Sequence, residues 1–589
     1  MPFIQLIALV LIGYLPFRLG AARWLGPYDG LERVACSYAG GVILMFVAGM
    51  SAFTTGLPRL PLHALLLSAL LLTGLLARAG VSRGAPVWPR AEEWRAVGLL
   101  GTTAAVVLLA QHAMTNYSGG HWSSDWYEHY ERVLFFDGQL KLDHRFLTLY
   151  HLTARPPLFN QVACQWMTLT GMRFADYQVV ATFLGSLVVL PVGLLLHRLA
   201  RRELPGRAPG RTRALMISCA LLLLNPMAVT HLLYPWTRML ACALVLLGLY
   251  LYLAAIFDGR RHLLAPAFVL MAAAHLTHYA ADVVSVCVLS HYLWLSTRTA
   301  GTWRGLSRAA TTLAPAAVLA GLWHAWAAAA YGAGRTVTAT TTWQNLSALT
   351  PGRLAGQLYT NLLTTLVPFI QEKDPSFVRQ MDPALRLYAL YDHLHMYWTG
   401  TLVGAVSASA LVAVCLAAIA TRRRMAPSGE PVPARERRFL ALMATGAFLI
   451  SFLIVPGAEV SGIAHLTLQP VCLLVLLGVA AWVLQAGPWA RTFFTTLYAA
   501  EALLFYYLKT LPRVNPTPTV PSALYTQHYY ENLRLKLVTH RLDFLADLHP
   551  LLSQWSRPAL LTLVPLLAGA LWILLARPPA PSGGSARHQ

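Results

Sequence analysis

The chain has 589 residues, of which 57% are hydrophobic and 12% are charged, and its mean hydropathy is +0.53. These values exclude an ordinary soluble globular protein. The net charge of +21 would suit a nucleic-acid-binding protein, but the basic residues lie in short loops between apolar runs and not in one basic domain. The composition therefore indicates an integral membrane protein and argues against nucleic acid as a partner.

The apolar residues fall into repeated runs that are broken by Pro, Gly and charge clusters. A span needs roughly 20 helical residues to cross a hydrocarbon core of about 30 Å. By that rule the sequence predicts an all-α polytopic membrane protein with about fifteen transmembrane helices. The first run, near residues 3–20, has neither a basic start nor a cleavage site, so we expect a retained span and not a signal peptide.

Four loops are strongly basic, and the positive-inside rule places them in the cytoplasm. They are residues 197–213, 258–262, 297–308 and 421–438. Alternation along the chain then places three larger segments outside the cytoplasm. These are about 113–177, 331–398 and 510–557. The chemistry-bearing residues concentrate in these outer segments, so we expect a multi-pass protein of the cytoplasmic (inner) membrane whose functional site faces the exterior.

The first outer segment contains "HWSSDWYEHYERVLFFDG" (121–138), whose apolar spacing predicts a helix ending at Gly138. Asp125, Glu128, His129 and Arg132 lie at helical spacings, so one face carries all four side chains. One interpretation is an acid presented for proton transfer. The other is the solvated face of a surface helix, with Glu128 and Arg132 forming an ordinary i, i+4 pair.

Three further motifs follow this acidic segment in a suggestive order. They are "ARPPL" at 154–158, "LYPWTRMLACALVLLGLYLYLAA" at 233–255 and "GIAHLTLQPVCLLVLL" at 462–477. In order and sidedness the sequence resembles the GT-C superfamily of membrane glycosyltransferases. The protein O-mannosyltransferases and the bacterial transferases that put aminoarabinose on lipid A are the most similar branches. The resemblance covers about residues 95–510 and implies a GT-C-like helical bundle with juxtamembrane helices outside the cytoplasm.

The resemblance implies an inverting transferase that moves a sugar from a polyprenyl-phosphate donor to an acceptor hydroxyl. Asp125 would be the general base and Glu128 the second catalytic candidate, with His129 and Arg132 as substrate-binding neighbours. The acceptor could be a lipid, a glycan or a protein, and membrane lipids surround the site. A departing lipid phosphate needs cationic groups, which arginine supplies as a planar, always charged fork.

Arg155, Arg238 and His465 lie at predicted outer membrane boundaries and are the candidates for holding the phosphate. The alternative for each is a side chain that extends to the interface without a functional role. A further polar group, "AHLTHYAAD" (274–282), predicts His275, His278 and Asp282 on one side of a helix. This group could line the donor cavity, as the resemblance implies, or it could be a His–Asp pair that joins two spans, or a helix break.

Two other features bear on ligands. "YDHLHMYW" (391–398) offers Asp392 beside aromatic side chains, either for sugar recognition or as an interfacial aromatic belt. The short loop "HLLYPWTRM" (231–239) lacks the second acid with which many GT-C enzymes bind a divalent metal, which argues against a metal cofactor. His121, Asp125 and His129 recur at intervals of four as a possible zinc or manganese set, but no fourth ligand accompanies them.

The predicted organisation has four parts. Residues 1–77 form a three-span N-terminal appendage, 95–510 the catalytic core, 511–577 an outer amphipathic segment with the last span, and 578–589 a disordered cytoplasmic tail. The rival function is a lipid-linked-glycan flippase or transporter, which predicts charges deep in several spans. A third possibility is an O-antigen-ligase-like transferase, which would depend on the outer segment 331–398.

Overall fold

A computed structural model of the chain is built from α-helices, short 3-10 turns and an isolated β-bridge between Phe146 and Tyr150. The residues that the structure describes are 2–22, 25–56, 88–113, 125–146, 150–203, 208–340, 347, 350–366, 401–422, 431–455, 467–510 and 549–576. No sheet forms within these ranges. The prediction of an all-α fold is confirmed for this part of the chain.

The first group of helices comprises α1 (Pro2–Gly20), α2 (Gly30–Thr55), α3 (Ala91–Ala113), α4 (Asp125–Phe136), α5 (Leu158–Thr170), α6 (Phe174–Ser186) and α7 (Val189–Glu203). A capping box starts α2, because the Asp29 side chain accepts from the Glu32 backbone N–H and Glu32 accepts from that of Asp29. Gly56, in the left-handed region with φ 72°, ends α2.

The second group comprises α8 (Arg211–Leu224), α9 (Pro226–Leu233), α10 (Arg238–Phe257), α11 (Leu264–Thr277), α12 (Asp282–Ala300), α13 (Thr302–Tyr331) and α14 (Ala333–Thr338). Between α8 and α9 the chain bends by 80°. Asn225 sits at the bend, and its side chain accepts from the Ala228 backbone N–H at 2.8 Å. Pro226, which has no N–H to leave unpaired, follows at the first helical position.

The third group comprises α15 (Pro351–Leu366), α16 (Leu402–Val406), α17 (Ala408–Arg422), α18 (Pro431–Ile454), α19 (Gln469–Gln485), α20 (Pro488–Thr510) and α21 (His549–Leu575). Ser407 separates α16 from α17 and has a φ of 88°. Glu501 of α20 accepts from the Ser407 hydroxyl at 2.6 Å and from the Ala408 N–H at 3.2 Å. The carboxylate thereby satisfies the backbone at the start of α17.

Nine helical stretches among the described residues are long and apolar enough to cross a membrane, or ten if the bent pair α8–α9 is one span. The chain is therefore a multi-pass membrane protein. The predicted count of about fifteen spans is not confirmed. The difference arises partly because α11 has 14 residues and α19 has 17, too few to cross alone by that criterion.

The centre of the bundle is formed by α6, α7 and α10. Residues 174–196 are wholly buried, and α10 is nearly so. Helices α8 and α19 pack against α7, and α11 packs against α10. A helix that is apolar on all sides is expected to lie inside a bundle and not against lipid. This buried centre carries the ends of α9, α10 and α11, where the candidate site lies.

The N-terminal helices α1 and α2 pack on α5, α6 and α3. Two buried ionic contacts reinforce this packing. Glu93 of α3 accepts from Arg18 of α1 and Arg33 of α2, and Glu32 of α2 accepts from Arg260, which follows α10. The domain boundary at residue 77 stays a prediction, but these two helices are bound closely to the core.

Acids link three of the loops predicted to be cytoplasmic. Arg198 donates to Asp258 and to Glu436, each at 2.6 Å, and Arg202 donates to the same two carboxylates. These residues belong to the basic segments 197–213, 258–262 and 421–438. The contacts are consistent with the prediction that the three segments share one side of the membrane.

Candidate functional site

Helix α4 forms as the apolar spacing predicts, and it carries a buried ion pair. Glu128 Oε1 accepts from Arg132 Nε at 2.9 Å and from Nη2 at 2.6 Å. Arg132 also donates to the carbonyl oxygens of Leu152 at 2.6 Å and His151 at 3.1 Å. Both side chains of the pair are at most 1% exposed. The predicted i, i+4 pair is therefore present. The interpretation of this face as the solvated face of a surface helix is wrong, because both side chains of the pair are buried.

The turn that carries Arg155 is held by this pair. Arg132 donates to the carbonyl oxygen of His151, which precedes the 3-10 turn Leu152–Ala154, and to that of Leu152, the first residue of the turn. Arg155 follows the turn directly. The Arg155 Nε lies 3.7 Å from Glu128 Oε2, and its guanidinium lies 5.3 Å from the centre of the Tyr150 ring. Pro157 then precedes α5, where fixed proline geometry suits a helix start.

The polar group around residue 278 differs from its prediction. Helix α11 ends at Thr277, and His278 is extended with φ −162° and ψ 125°. A single helix carrying His275, His278 and Asp282 on one side is therefore wrong. His275 instead pairs with Asp282 at 2.9 Å, which matches the alternative of a His–Asp pair between two spans at a helix break. His275 Nε2 also lies 2.9 Å from His324 Nε2.

His278 is the point at which cationic and imidazole groups from separate elements converge. The neighbours within electrostatic range are Arg155, Arg238, His129 and His231. Arg238 is the first residue of α10, and its guanidinium lies 5.1 Å from the centre of the Trp236 ring. We call these five residues the His278 cluster. Sequence reasoning had selected four of them from separate motifs and had missed His231, which lies in α9.

The charges beside the cluster follow from burial and from the arginines. Burial is the main cause that lowers the pKa of His129 to about 3, with the guanidinium groups of Arg132 and Arg155 acting in the same direction, while the Glu128 carboxylate and the Asn160 side chain oppose them. Burial alone would raise the pKa of Glu128, but the same two arginines outweigh it and hold the pKa below its usual range. At neutral pH Glu128 is therefore an anion and His129 is neutral.

Asn160, the third residue of α5, lies beside His129 and was not selected from the sequence. Its side chain is fully buried. Within the described part of the chain, neither amide atom of Asn160 nor the Nδ1 of His129 has a hydrogen-bond partner of normal geometry. The signal that could have found Asn160 is the pair of amide residues, Asn160 and Gln161, in the otherwise apolar start of a helix, "LFNQV".

Three candidate residues are only partly accounted for. Asp125 is the first residue of α4, one turn before Glu128, but its side chain lies outside the described part of the structure. Asp392 and His465 lie outside the described residues altogether. The possible metal set of His121, Asp125 and His129 stays a prediction for the same reason. Among described residues, no group of three His, Cys, Asp or Glu side chains could hold a metal ion.

The structure thus defines a helical multi-pass membrane protein with a cluster of buried and half-buried cationic and imidazole groups at the ends of its helices. Two solved structures of ArnT from Cupriavidus metallidurans are similar to it. The structure bound to undecaprenyl phosphate has a TM-score of 0.45, and the apo structure has a TM-score of 0.41. Both are 16% identical to this chain and cover 82% of it, with 77% and 76% of their own lengths matched.

No family model and no curated protein matches the sequence. A structural likeness of this size carries no argument about activity. The functional conclusion below therefore depends on the residues of the site.

Proposed function

We propose that this chain is an inverting glycosyltransferase that moves a sugar from a polyprenyl-phosphate donor to an acceptor hydroxyl on the extracytoplasmic side of the cytoplasmic membrane. The observation that carries the proposal is the convergence on His278 of Arg155, Arg238, His129 and His231 from separate elements. Burying several such groups together is unfavourable unless anions accompany them, and the Glu128 carboxylate beside Arg155 is already shared with Arg132. A lipid phosphate is an anion that reaches a site at helix ends from within the bilayer.

Arg155 and Arg238 are the phosphate-binding residues in this proposal. Arg155 directly follows the 3-10 turn that precedes α5, and Arg238 is the first residue of α10. Each guanidinium packs on an aromatic ring. A guanidinium group offers a planar fork of N–H donors that fits phosphate oxygens in a bidentate contact. Their charge stabilises the polyprenyl phosphate as it leaves, because the leaving oxygen gains negative charge in the transition state.

Arg132 and Glu128 have a different role, which is to position Arg155. Arg132 is committed to Glu128 and to the carbonyls of Leu152 and His151. Glu128 is an ionised carboxylate shared between two arginines, so it is a weak proton acceptor near neutral pH. We therefore assign the base to Asp125, three residues earlier on the same helix face.

The proposed step is one displacement. The acceptor oxygen attacks the anomeric carbon, its proton passes to the Asp125 carboxylate, and the bond from that carbon to the phosphate oxygen breaks. The electron pair leaves with the polyprenyl phosphate, which Arg155 and Arg238 hold. Attack on the face opposite the leaving group inverts the anomeric configuration. The acceptor class, whether lipid, glycan or protein, is left open by the residues described.

The test is transfer from radiolabelled polyprenyl-phosphate sugars by purified full-length protein in detergent. Asp125→Asn should abolish label transfer while the protein stays monodisperse. Asp143→Asn is the matched control, because Asp143 is an exposed acid on the same segment. Equal transfer by wild type and Asp125→Asn would refute Asp125 as the base. No transfer from any donor to a lipid, glycan or peptide acceptor would refute the transferase and favour the flippase alternative.

A further inference from the structure

We propose that Asn160 and His129 form a hydroxyl-binding subsite for the donor sugar, and that this sugar carries hydroxyl groups but no charged group. The inference deepens the proposed function and rests on it, because the ligand is the donor of that transfer. It assigns a ligand to Asn160, which no sequence motif had singled out.

The first support is the condition of the Asn160 side chain. It is fully buried, and neither its Nδ2 nor its Oδ1 has a hydrogen-bond partner of normal geometry among the described residues. A buried amide without partners is costly, and such groups are normally paired with protein, water or ligand. The amide has two donor hydrogens and two acceptor lone pairs. A sugar hydroxyl both donates and accepts, so it complements either end of the amide.

The second support is position. Asn160 lies beside His129, which is itself in the His278 cluster with Arg155. His129 Nδ1 is also buried and has no hydrogen-bond partner of normal geometry in the described residues, although the Asn160 side chain lies within interaction range of it. In a sugar phosphate the ring is attached directly to the phosphate oxygen. Groups that bind ring hydroxyls must therefore lie next to the groups that bind phosphate, and Asn160 and His129 do so.

The third support is electrostatic and concerns the class of sugar. His129 stays neutral at this place, because burial and the two arginines both disfavour a positive charge there. The same conditions would disfavour the ammonium group of an amino sugar. Asn160 and His129 are neutral hydrogen-bonding groups, so they would not compensate the desolvation of a sugar carboxylate either. An uncharged hydroxylated sugar fits both conditions.

The chain offers a matched control one residue away. Gln161 is also on α5, is also fully buried, and its two amide atoms likewise have no hydrogen-bond partner of normal geometry in the described part of the chain. It faces a different element, since a Cβ added at Gly49 of α2 would come within 2.9 Å of the Gln161 Cγ. A loss caused only by placing an apolar residue in α5 should affect both positions equally.

The experiment measures binding to purified full-length protein in lipid nanodiscs. Three ligands are compared: a bare polyprenyl phosphate, the same lipid carrying a neutral hexose, and the same lipid carrying an amino sugar. The proteins are wild type, Asn160→Leu, Asn160→Ser and Gln161→Leu, each checked for monodispersity. Asn160→Ser keeps the test possible if the leucine variant does not fold.

We expect wild type to bind the neutral-hexose lipid more tightly than the amino-sugar lipid. Substitution of Asn160 should weaken binding of the hexose lipid ~10-fold, as for the loss of a buried hydrogen bond, and leave the bare phosphate within about twofold. Gln161→Leu should change neither. Equal losses for bare and glycosylated lipid, equal losses in the Gln161 variant, or a preference for the amino sugar would overturn the inference alone. Wild type that binds no polyprenyl phosphate would overturn the proposed function as well.

Discussion

The chain buries charge in two regions that are built differently. Between α1, α2 and α3, Glu93 accepts from the Tyr14 hydroxyl at 2.6 Å, from Arg18 Nε at 2.7 Å and from Arg33 Nη1 at 3.1 Å. One carboxylate is shared by two cations there, and the contacts join three helices. At the His278 cluster, imidazole and arginine groups converge beside Asn160, whose amide atoms have no hydrogen-bond partner of normal geometry among the described residues, and the adjacent Glu128 carboxylate is already shared between two arginines.

The difference teaches how a membrane protein can use the same residue types for two purposes. A buried acid that is matched by cations from neighbouring helices holds those helices in register. A buried group of cations and neutral hydrogen-bonding side chains is poised for a ligand that the protein does not itself supply. Substitutions in the two regions should therefore affect different measurements, and four predictions test this in order of decreasing effect.

Glu93→Gln should destabilise the protein most. The substitution removes the carboxylate that Arg18 and Arg33 share and leaves both cations buried, at a cost of about 3–5 kcal/mol in the free energy of unfolding. Transfer per folded molecule should be unchanged. Glu92→Gln, at the exposed neighbouring position, is the control for chemical unfolding in micelles. A loss below about 1 kcal/mol would mean that this network does not join the helices.

Arg238→Ala should show the opposite behaviour. Loss of the guanidinium should lower kcat for transfer about 100-fold, because the leaving phosphate loses one of its cationic partners, while the unfolding midpoint stays nearly constant. Arg335→Ala is the matched control, since Arg335 is exposed on α14. If the Arg238 variant unfolds early and keeps its activity per folded molecule, the two regions do not differ as described.

Phe53→Ala should have an effect of intermediate size on kcat, and it tests whether α2 holds α4 in position at the site. The Phe53 ring contacts Phe135 and Phe136 of α4 at 5.8 and 5.2 Å between ring centres, and Trp326 of α13 at 5.0 Å. Its removal should let α4 shift, so kcat should fall about tenfold with little change in KM. Phe53→Leu should restore most of the rate. Unchanged kcat in the alanine variant would show that α2 does not position α4.

The smallest effect is a pH dependence from His129. Its pKa of about 3 in the folded protein lies below the unfolded value of about 6.5, so the unfolded state binds a proton first as pH falls. Stability should therefore decrease between about pH 6.5 and pH 3, by about 1.4 kcal/mol from pH 7.5 to 5.5. His129→Gln should remove this part of the dependence, whereas His262→Gln, at an exposed position, should not. Identical pH profiles for wild type and His129→Gln would contradict the prediction.

Local features of the site could be predicted from the sequence. Apolar spacing and Gly138 indicated α4, which ends at Phe136, and residue spacing indicated the Glu128–Arg132 pair. Burial of that pair could not be predicted, because it depends on carbonyls of Leu152 and His151 that reach Arg132 through the tertiary fold. The all-helical fold was likewise predictable from composition and apolar run length.

Two other features had no local signal. The break at His278 lies in a run without Gly or Pro, so helical periodicity continued through it and predicted a single helix. His231 and Asn160 are polar residues in largely apolar helices, and such residues are more often paired in the core than functional. Only the convergence of α4, α5, α9 and the α11–α12 break makes their position beside the arginines visible.

The bend between α8 and α9 also sets the depth of the site. If the basic segment 197–213 lies at the inner surface, as the sequence predicts, α8 with its 14 residues rises at most about 21 Å from that surface. In a hydrocarbon core about 30 Å thick, that placement would leave α9 and its His231 roughly 9 Å below the outer head groups. A lipid phosphate in the cluster would be drawn beneath the level of its neighbours in the leaflet. An acceptor that fills the opening above would keep bulk water out, which favours transfer over hydrolysis of the donor.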